Sequence, residues 1–288
     1  MSRFLVVTAD DFGLHEAVNE AVETASRGGI LTAASLMVAA PAAADAVRRA
    51  RALPELRVGL HLTLADAAPA SAASLVPGLV DAHGRFGSAM VRDGLRYFLS
   101  RELRRQLAAE IRAQFSAFAR TGLALDHVNA HKHFHVHPTL LGLVLRIGAE
   151  FGVPAVRVPA EPLWFAAASA ALPGWVAAAA LAPWTLLMKQ RLRSAGVAFS
   201  DHVFGIGASG AMHEQRLLEV LARLPDGLSE IYLHPATRTG LTASMSTYRH
   251  DHELAALLSP RVRAALQRTG VRTGGYRDAI QLAGARAA

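Results

Sequence analysis

Residues 4–13, Phe-Leu-Val-Val-Thr-Ala-Asp-Asp-Phe-Gly, run from a buried-looking apolar strand (Phe4 to Thr8) straight into two adjacent carboxylates. The helical period that follows, Leu14 to Arg27, is closed by Gly28 and Gly29 in C-cap positions. A strand that turns into a helix within a few residues is the first unit of a repeating pattern. Ala33 to Val38 reads as a second apolar run and Pro41 to Leu53 as a helix with proline in its first turn. Further strands are predicted at Arg57 to Thr63, Leu125 to Asn129, around Val156 and Val158, and at Ser229 to Leu233. Helices are predicted at Asp93 to Arg120, Pro138 to Phe151, His213 to Leu224 and Pro260 to Arg268. The tail beyond Ala279 reads as frayed. Strands alternating with helices imply parallel pairing and an α/β fold, in which ligands sit at the carboxyl ends of the strands. No linker or repeat divides the 288 residues, so the whole chain, 1–288, reads as one domain.

Composition narrows the chemistry. Cysteine is absent, which removes disulfides, iron–sulfur clusters, cysteine zinc sites and thiol nucleophiles. Carboxylates and 13 histidines remain. The formal charge of +7 comes from 28 arginines and two lysines, scattered and not interleaved with aromatics, so no nucleic-acid partner is expected. The start, MSRFLVVTADDFG, lacks the apolar length and small-residue site of a secretory signal, and a cytoplasmic location is expected.

Four signals carry chemistry. Five histidines fall within Asp126 to Pro138 (DHVNAHKHFHVHP), at positions 127, 131, 133, 135 and 137, which on an extended chain would share one face. Crowded imidazoles repel when protonated, and a metal or an acidic partner resolves that. The Asp10-Asp11 pair resists burial without a cation, although a solvated turn capping the next helix would also accommodate it. His61, inside GLHLTL, and His234, in IYLHP, each stand in an apolar run, where a core histidine is the ordinary alternative. Taken together the signals read as a mononuclear hydrolase site: one Asp and two His ligands, a free Asp to take a proton, and a separate His to protonate a leaving amine.

Leu163 to Met188 departs from the pattern. It has 26 residues without a charge and all three tryptophans, Trp164, Trp175 and Trp184, interrupted by Pro173, Gly174 and Pro183. A core hairpin, an apolar surface meeting a lipid or partner subunit, and a membrane span are the alternatives. The prolines and alanines favour two short helices forming a flap beside the site, with a lipid tail lying against them.

The order ADDFG, GLHLTL, DHVNAHKHFHVHP and LHP resembles the YdjC-type carbohydrate deacetylases, related to chitooligosaccharide deacetylase, from about Phe4 to about Tyr276. VNAHKHFHVHP together with the Trp-rich insert is most similar to the hopanoid-biosynthesis-associated branch, HpnK. The resemblance implies a distorted, TIM-like (β/α) barrel carrying the insert, and removal of N-acetyl groups from amino sugars with one divalent metal. Two imidazole ligands favour zinc, with magnesium the other candidate. It places Asp11, His61 and His131 at the metal, Asp10 as the base and His234 as the acid. His133, His135, Arg157 and the three tryptophans are the expected substrate contacts, Arg157 by orienting a carboxylate. The expected substrate is an N-acetylglucosaminyl hopanoid lipid. A soluble chitooligosaccharide and a non-catalytic metal-binding role are the competing readings. A homodimer, and contact of the insert with the inner membrane surface, complete the expectations.

Overall fold

A computed structural model describes residues 3–169 and 173–287, with side chains outside the description at 167–169, 173–180 and 286–287. The first half alternates strand and helix: β1 (Arg3–Phe12), α1 (Glu16–Gly28), β2 (Ala33–Leu36), α2 (Ala43–Arg51), β3 (Arg57–Leu62), α3 (Met90–Leu99), α4 (Arg101–Arg120), β4 (Leu125–Ala130) and α5 (Pro138–Glu150). The second half runs β5 (Ala155–Val156), α6 (Leu163–Ser169), α7 (Pro173–Ser194), β6 (Ala198–Phe199), β7 (His202–Phe204), α8 (Glu214–Ala222), β8 (Gly227–Leu233), α9 (His250–Leu258), α10 (Pro260–Thr269), β9 (Arg272–Thr273) and α11 (Tyr276–Ala287).

Among the described residues every strand pairs in parallel, in the order β6-β5-β4-β3-β2-β1-β8-β7, with β9 added on β1. β6 and β7 stand at the two ends of this order but are joined by only two residues, Ser200 and Asp201. The sheet therefore curls round, and the run 198–204 serves β5 at one end and β8 at the other. The α/β fold and distorted barrel expected from the sequence are what is observed. Strands buried on both faces explain the near-continuous apolar runs, such as Leu5, Val6 and Val7, all fully buried.

Three expectations about elements are corrected. The helix predicted over 93–120 is two helices. Ser100 leaves the helical region (φ −96°, ψ 119°) and its hydroxyl caps α4 by accepting the Leu103 N–H, so Leu95 and Leu99 face solvent while Leu103, Leu107 and Ile111 are buried. The insert forms two helices, but the second is 22 residues long and continues through Pro183. Trp184, Met188 and Leu192, one turn apart, pack against the core and hold the helix together there. The tail is ordered as α11 rather than frayed, because Tyr276, Ala279 and Leu282 pack with Phe4 and Val6. The described residues contain no helix long and apolar enough to cross a membrane.

Candidate metal centre

Adjacent residues on a regular strand point to opposite faces. Asp10 and Asp11 both reach the barrel centre because β1 is irregular between Ala9 and Phe12 and Asp11 takes a left-handed conformation (φ 61°). Such a conformation is uncommon for a non-glycine residue and is held here by the surrounding contacts. The Asp11 carboxylate meets two imidazoles: His61 Nε2 from β3 lies 3.2 Å from Oδ1, and His131 Nδ1, just past β4, lies 3.0 Å from the same oxygen. One donor atom from each of Asp11, His61 and His131 lies within 4.8 Å of the others, and all three side chains are buried. His234, just past β8, places Nε2 3.9 Å from Asp11 Oδ2.

Asn129 organises this cluster. Its Nδ2 donates to Asp10 Oδ1 (3.0 Å) and Ser35 Oγ (2.9 Å), which turns its Oδ1 toward His61 Nδ1 (2.7 Å). His61 therefore carries its hydrogen on Nδ1 and presents the Nε2 lone pair to Asp11. A lone pair facing a carboxylate oxygen at 3.2 Å is relieved either by a proton on Nε2 or by a metal ion between the two atoms. Burial pushes the His61 pKa down, but the neighbouring Asp10 and Asp11 carboxylates override it and raise the pKa. Asp11 Oδ2 is buried with no hydrogen-bond partner. The residues fit a metal ion, with Asp11, His61 and His131 to hold it.

Behind this cluster lies a charged floor. Arg157 is completely buried and grips two carboxylates. Its Nη1 and Nη2 donate to Asp10 (2.5 and 2.9 Å), and its Nε and Nη2 to Glu230 (2.9 and 2.7 Å). Thr8 and Tyr276 hydroxyls also donate to Glu230. Burial alone would raise the Asp10 pKa, but the Arg157 charge, then His61, hold it far below the usual carboxylate range. Asp10 and Glu230 thus share one buried guanidinium while Asp11 faces only imidazoles, so the cluster holds excess negative charge that a bound cation can balance.

The five histidines do not share a face. β4 ends at Ala130, and residues 131–136 form a tight turn with Lys132 and His133 left-handed (φ 55° and 54°). His127 lies deep, tied to Asp126 (2.9 Å) and Ser35 (3.0 Å), on ground that only a glycine leaves free: a Cβ on Gly59 would stand 2.5 Å from its ring. His133 meets the Tyr232 hydroxyl (3.0 Å) and lines the cavity. His135 Nε2 donates to the Arg157 carbonyl (2.8 Å), and the ring is buried and does not line the cavity. Arg157 likewise lies sealed behind Asp10, and the carboxylates it orients belong to the protein. Trp164 packs on Phe165 and Phe204, and Trp184 donates to the Val136 carbonyl (2.5 Å). Neither lines the metal-centre cavity or the groove beside it. The Trp175 side chain lies outside the described residues.

The cavity over the cluster, about 120 Å³, is lined by Asp10, His61, His131, His133, Tyr232 and His234, with Ser209 and Tyr248 at its edge. Ile206 separates it from a larger, mostly apolar groove of about 460 Å³, walled by Leu163, Leu181, Ala182, Leu186 and Pro162. Glu161 pins that partition by accepting three successive backbone N–H groups, from Gly205, Ile206 and Gly207 (2.8–2.9 Å). Sequence reasoning missed Asn129, Tyr232 and Glu230. Asn129 stands two residues before His131 inside the quoted motif, and Tyr232 two before His234, so the alternation of the strands was the available signal.

Fold and site together define a class, the parallel α/β barrels with a carboxylate–imidazole cluster able to bind a metal at the carboxyl ends of their strands. Within it, the chain belongs to the YdjC-like protein family, whose profile matches residues 4–268. It is 31% identical to a carbohydrate deacetylase of Geobacillus stearothermophilus, over 98% of this chain and 100% of that one. It is 29% identical to a chitooligosaccharide deacetylase of Klebsiella pneumoniae, over 96% and 100% of the two chains. A carbohydrate deacetylase of Brevibacillus brevis is 40% identical, but the match spans only 54% of this chain and 59% of that protein. Among solved structures, a protein of Enterococcus faecalis whose suggested role is cellobiose-phosphate cleavage superposes with a TM-score of 0.76 at 24% identity, over 96% and 99% of the chains. That likeness bears on the fold alone.

Proposed function

We propose that the chain is a carbohydrate N-deacetylase, one catalytic domain that hydrolyses the acetamido group of an amino sugar carried on a lipid. The observation that carries the hydrolase reading is the charge imbalance at the barrel centre: three buried carboxylates, one guanidinium, and two imidazoles aimed at Asp11. Asp11, His61 and His131 would hold a divalent ion, zinc by the donor set, and that ion would supply Lewis acidity to the reaction. Asp10 stays ionised and faces the cavity, so it is always in the proton-accepting form. His234, pushed down to about 4 by burial, is neutral at rest, lines the same cavity and is the group placed to pass a proton to the leaving nitrogen. Water adds to the carbonyl to form the C–O bond, and the C–N bond then breaks as the nitrogen takes up a proton, giving acetate and the protonated amine.

The lipid part of the reading rests on the groove. An apolar groove of about 460 Å³ adjoins the catalytic cavity across Ile206, which lines both, and one wall of it is the insert that the sequence singles out. A hopanoid is the lipid that the motif resemblance favours. Acetate release from an N-acetylglucosaminyl hopanoid and from a soluble chitooligosaccharide tests the reading. Leu186→Glu is expected to raise KM for the lipid-linked substrate about tenfold and leave the soluble one unchanged. Equal losses on both substrates would make the groove wall structural and favour a soluble oligosaccharide.

A further inference from the structure

We infer that the rim of the barrel is a seat for an anionic membrane surface, formed by α3 together with the insert. α3 is a second apolar element outside the groove. Val91, Leu95, Phe98 and Leu99 stand at i, i+4, i+7 and i+8 and are 82, 61, 58 and 76% exposed. The opposite face, Gly94 and Tyr97, is buried: a Cβ on Gly94 would stand 3.1 Å from the His137 ring, and Tyr97 packs on Phe134 at 5.9 Å. α7 docks on the same 131–137 segment through Trp184 and the Val136 carbonyl. Both helices thus pack on the stretch 134–137 that follows His131 and His133, and both carry exposed leucines, Leu95 and Leu99 on α3 and Leu186 and Leu187 on α7, with Leu163 exposed on α6.

Charge decides the occupant. From α3 into α4, residues 90–105 hold five arginines (Arg92, Arg96, Arg101, Arg104, Arg105) against Asp93 and Glu102. An apolar stripe collared by cations is what an interfacial helix presents to a bilayer bearing anionic lipids. A second copy of the chain fits less well, since a symmetric pairing of this face would bring two arginine collars together. The described residues contain no helix long and apolar enough to cross a bilayer. The inference rests on the lipid-substrate reading for its purpose, because such a seat would let a substrate pass from the bilayer into the groove. Its test does not use that reading.

The full-length protein is floated with vesicles of phosphatidylcholine alone and with vesicles containing about one-third phosphatidylglycerol, with no substrate present. The expected result is binding to the anionic vesicles, weakened by raised salt and reduced roughly tenfold or more by Phe98→Glu and by the pair Arg101→Glu and Arg105→Glu. Phe98, Arg101 and Arg105 are exposed, so the variants should keep the wild-type Tm and the wild-type rate on a soluble N-acetylated oligosaccharide. Absence of vesicle binding by the wild type overturns the inference. So does unchanged binding by Phe98→Glu, and so does a solution dimer that Phe98→Glu splits while vesicle binding is absent. Failure of the deacetylase reading would show separately, as no acetate released from any substrate.

Discussion

Arg157 and Leu186 show how differently two regions of this barrel are built. Arg157 is completely buried, and its guanidinium is committed to Asp10 and Glu230 through four hydrogen bonds. Leu186 is two-thirds exposed and lines a groove that protein atoms leave open. At the floor, the carboxylates of Asp10 and Glu230 have every oxygen partnered, whereas Asp11 Oδ2, beside the imidazoles, has no hydrogen-bond partner. At the rim, apolar side chains lack partners. The contrast separates two tasks. Holding charges in a fixed array demands over-determined contacts. Receiving an apolar ligand demands surface that folding has not consumed.

The largest effect should come from breaking the floor. Arg157→Met leaves Asp10 and Glu230 buried without their cation and should cost about 3–5 kcal/mol of stability, read as a lower urea midpoint or as loss of soluble protein. A change under about 1 kcal/mol would mean that the floor is not balanced by that guanidinium. Asp10→Asn is milder for folding, because the amide oxygen can still accept from Arg157. Turnover should fall roughly 100-fold in kcat with metal content retained. A variant that kept wild-type kcat would remove Asp10 from the proton path.

A smaller effect concerns Glu253 of α9, which is buried and accepts the backbone N–H of both Met212 and His234. Burial raises its pKa to about 7 from an ordinary value of 4.5, against the pull of those two donors. The folded pKa lies above the unfolded one, so its contribution to stability is full below about pH 4.5 and is lost as pH rises through about 7. Glu253→Gln has no such dependence. The Tm difference between the two proteins should therefore shift in favour of the variant from pH 5 to pH 8, by the equivalent of about 1–2 kcal/mol. A flat difference would contradict the assignment.

The same contrast explains what could be read from the sequence. The strands at Phe4, Arg57, Leu125 and Ser229 are legible because parallel strands buried on both faces are written as local apolar runs. Asp11, His61 and His131 are legible because each stands at or near the end of such a run. The floor is not local. Arg157 finds Asp10 across 147 residues and Glu230 across 73, and no periodicity reports a pairing of that kind. The histidine face failed because two left-handed residues, Lys132 and His133, turn the chain where the pattern reads as extended. Leu95 and Leu99 share the spacing of the buried Leu103 and Leu107, and only the cap at Ser100 separates solvent-facing from core-facing leucines.

The central claim is that the buried Asp11–His61–His131 cluster holds one catalytic divalent ion. Metal analysis of purified wild-type protein and His61→Ala, with acetate release measured on the same samples, tests it most directly. The account predicts one ion per chain in the wild type, removed by a chelator together with activity and restored with it, and neither ion nor activity in His61→Ala. Full activity in metal-free protein, or wild-type metal content in His61→Ala, would contradict it.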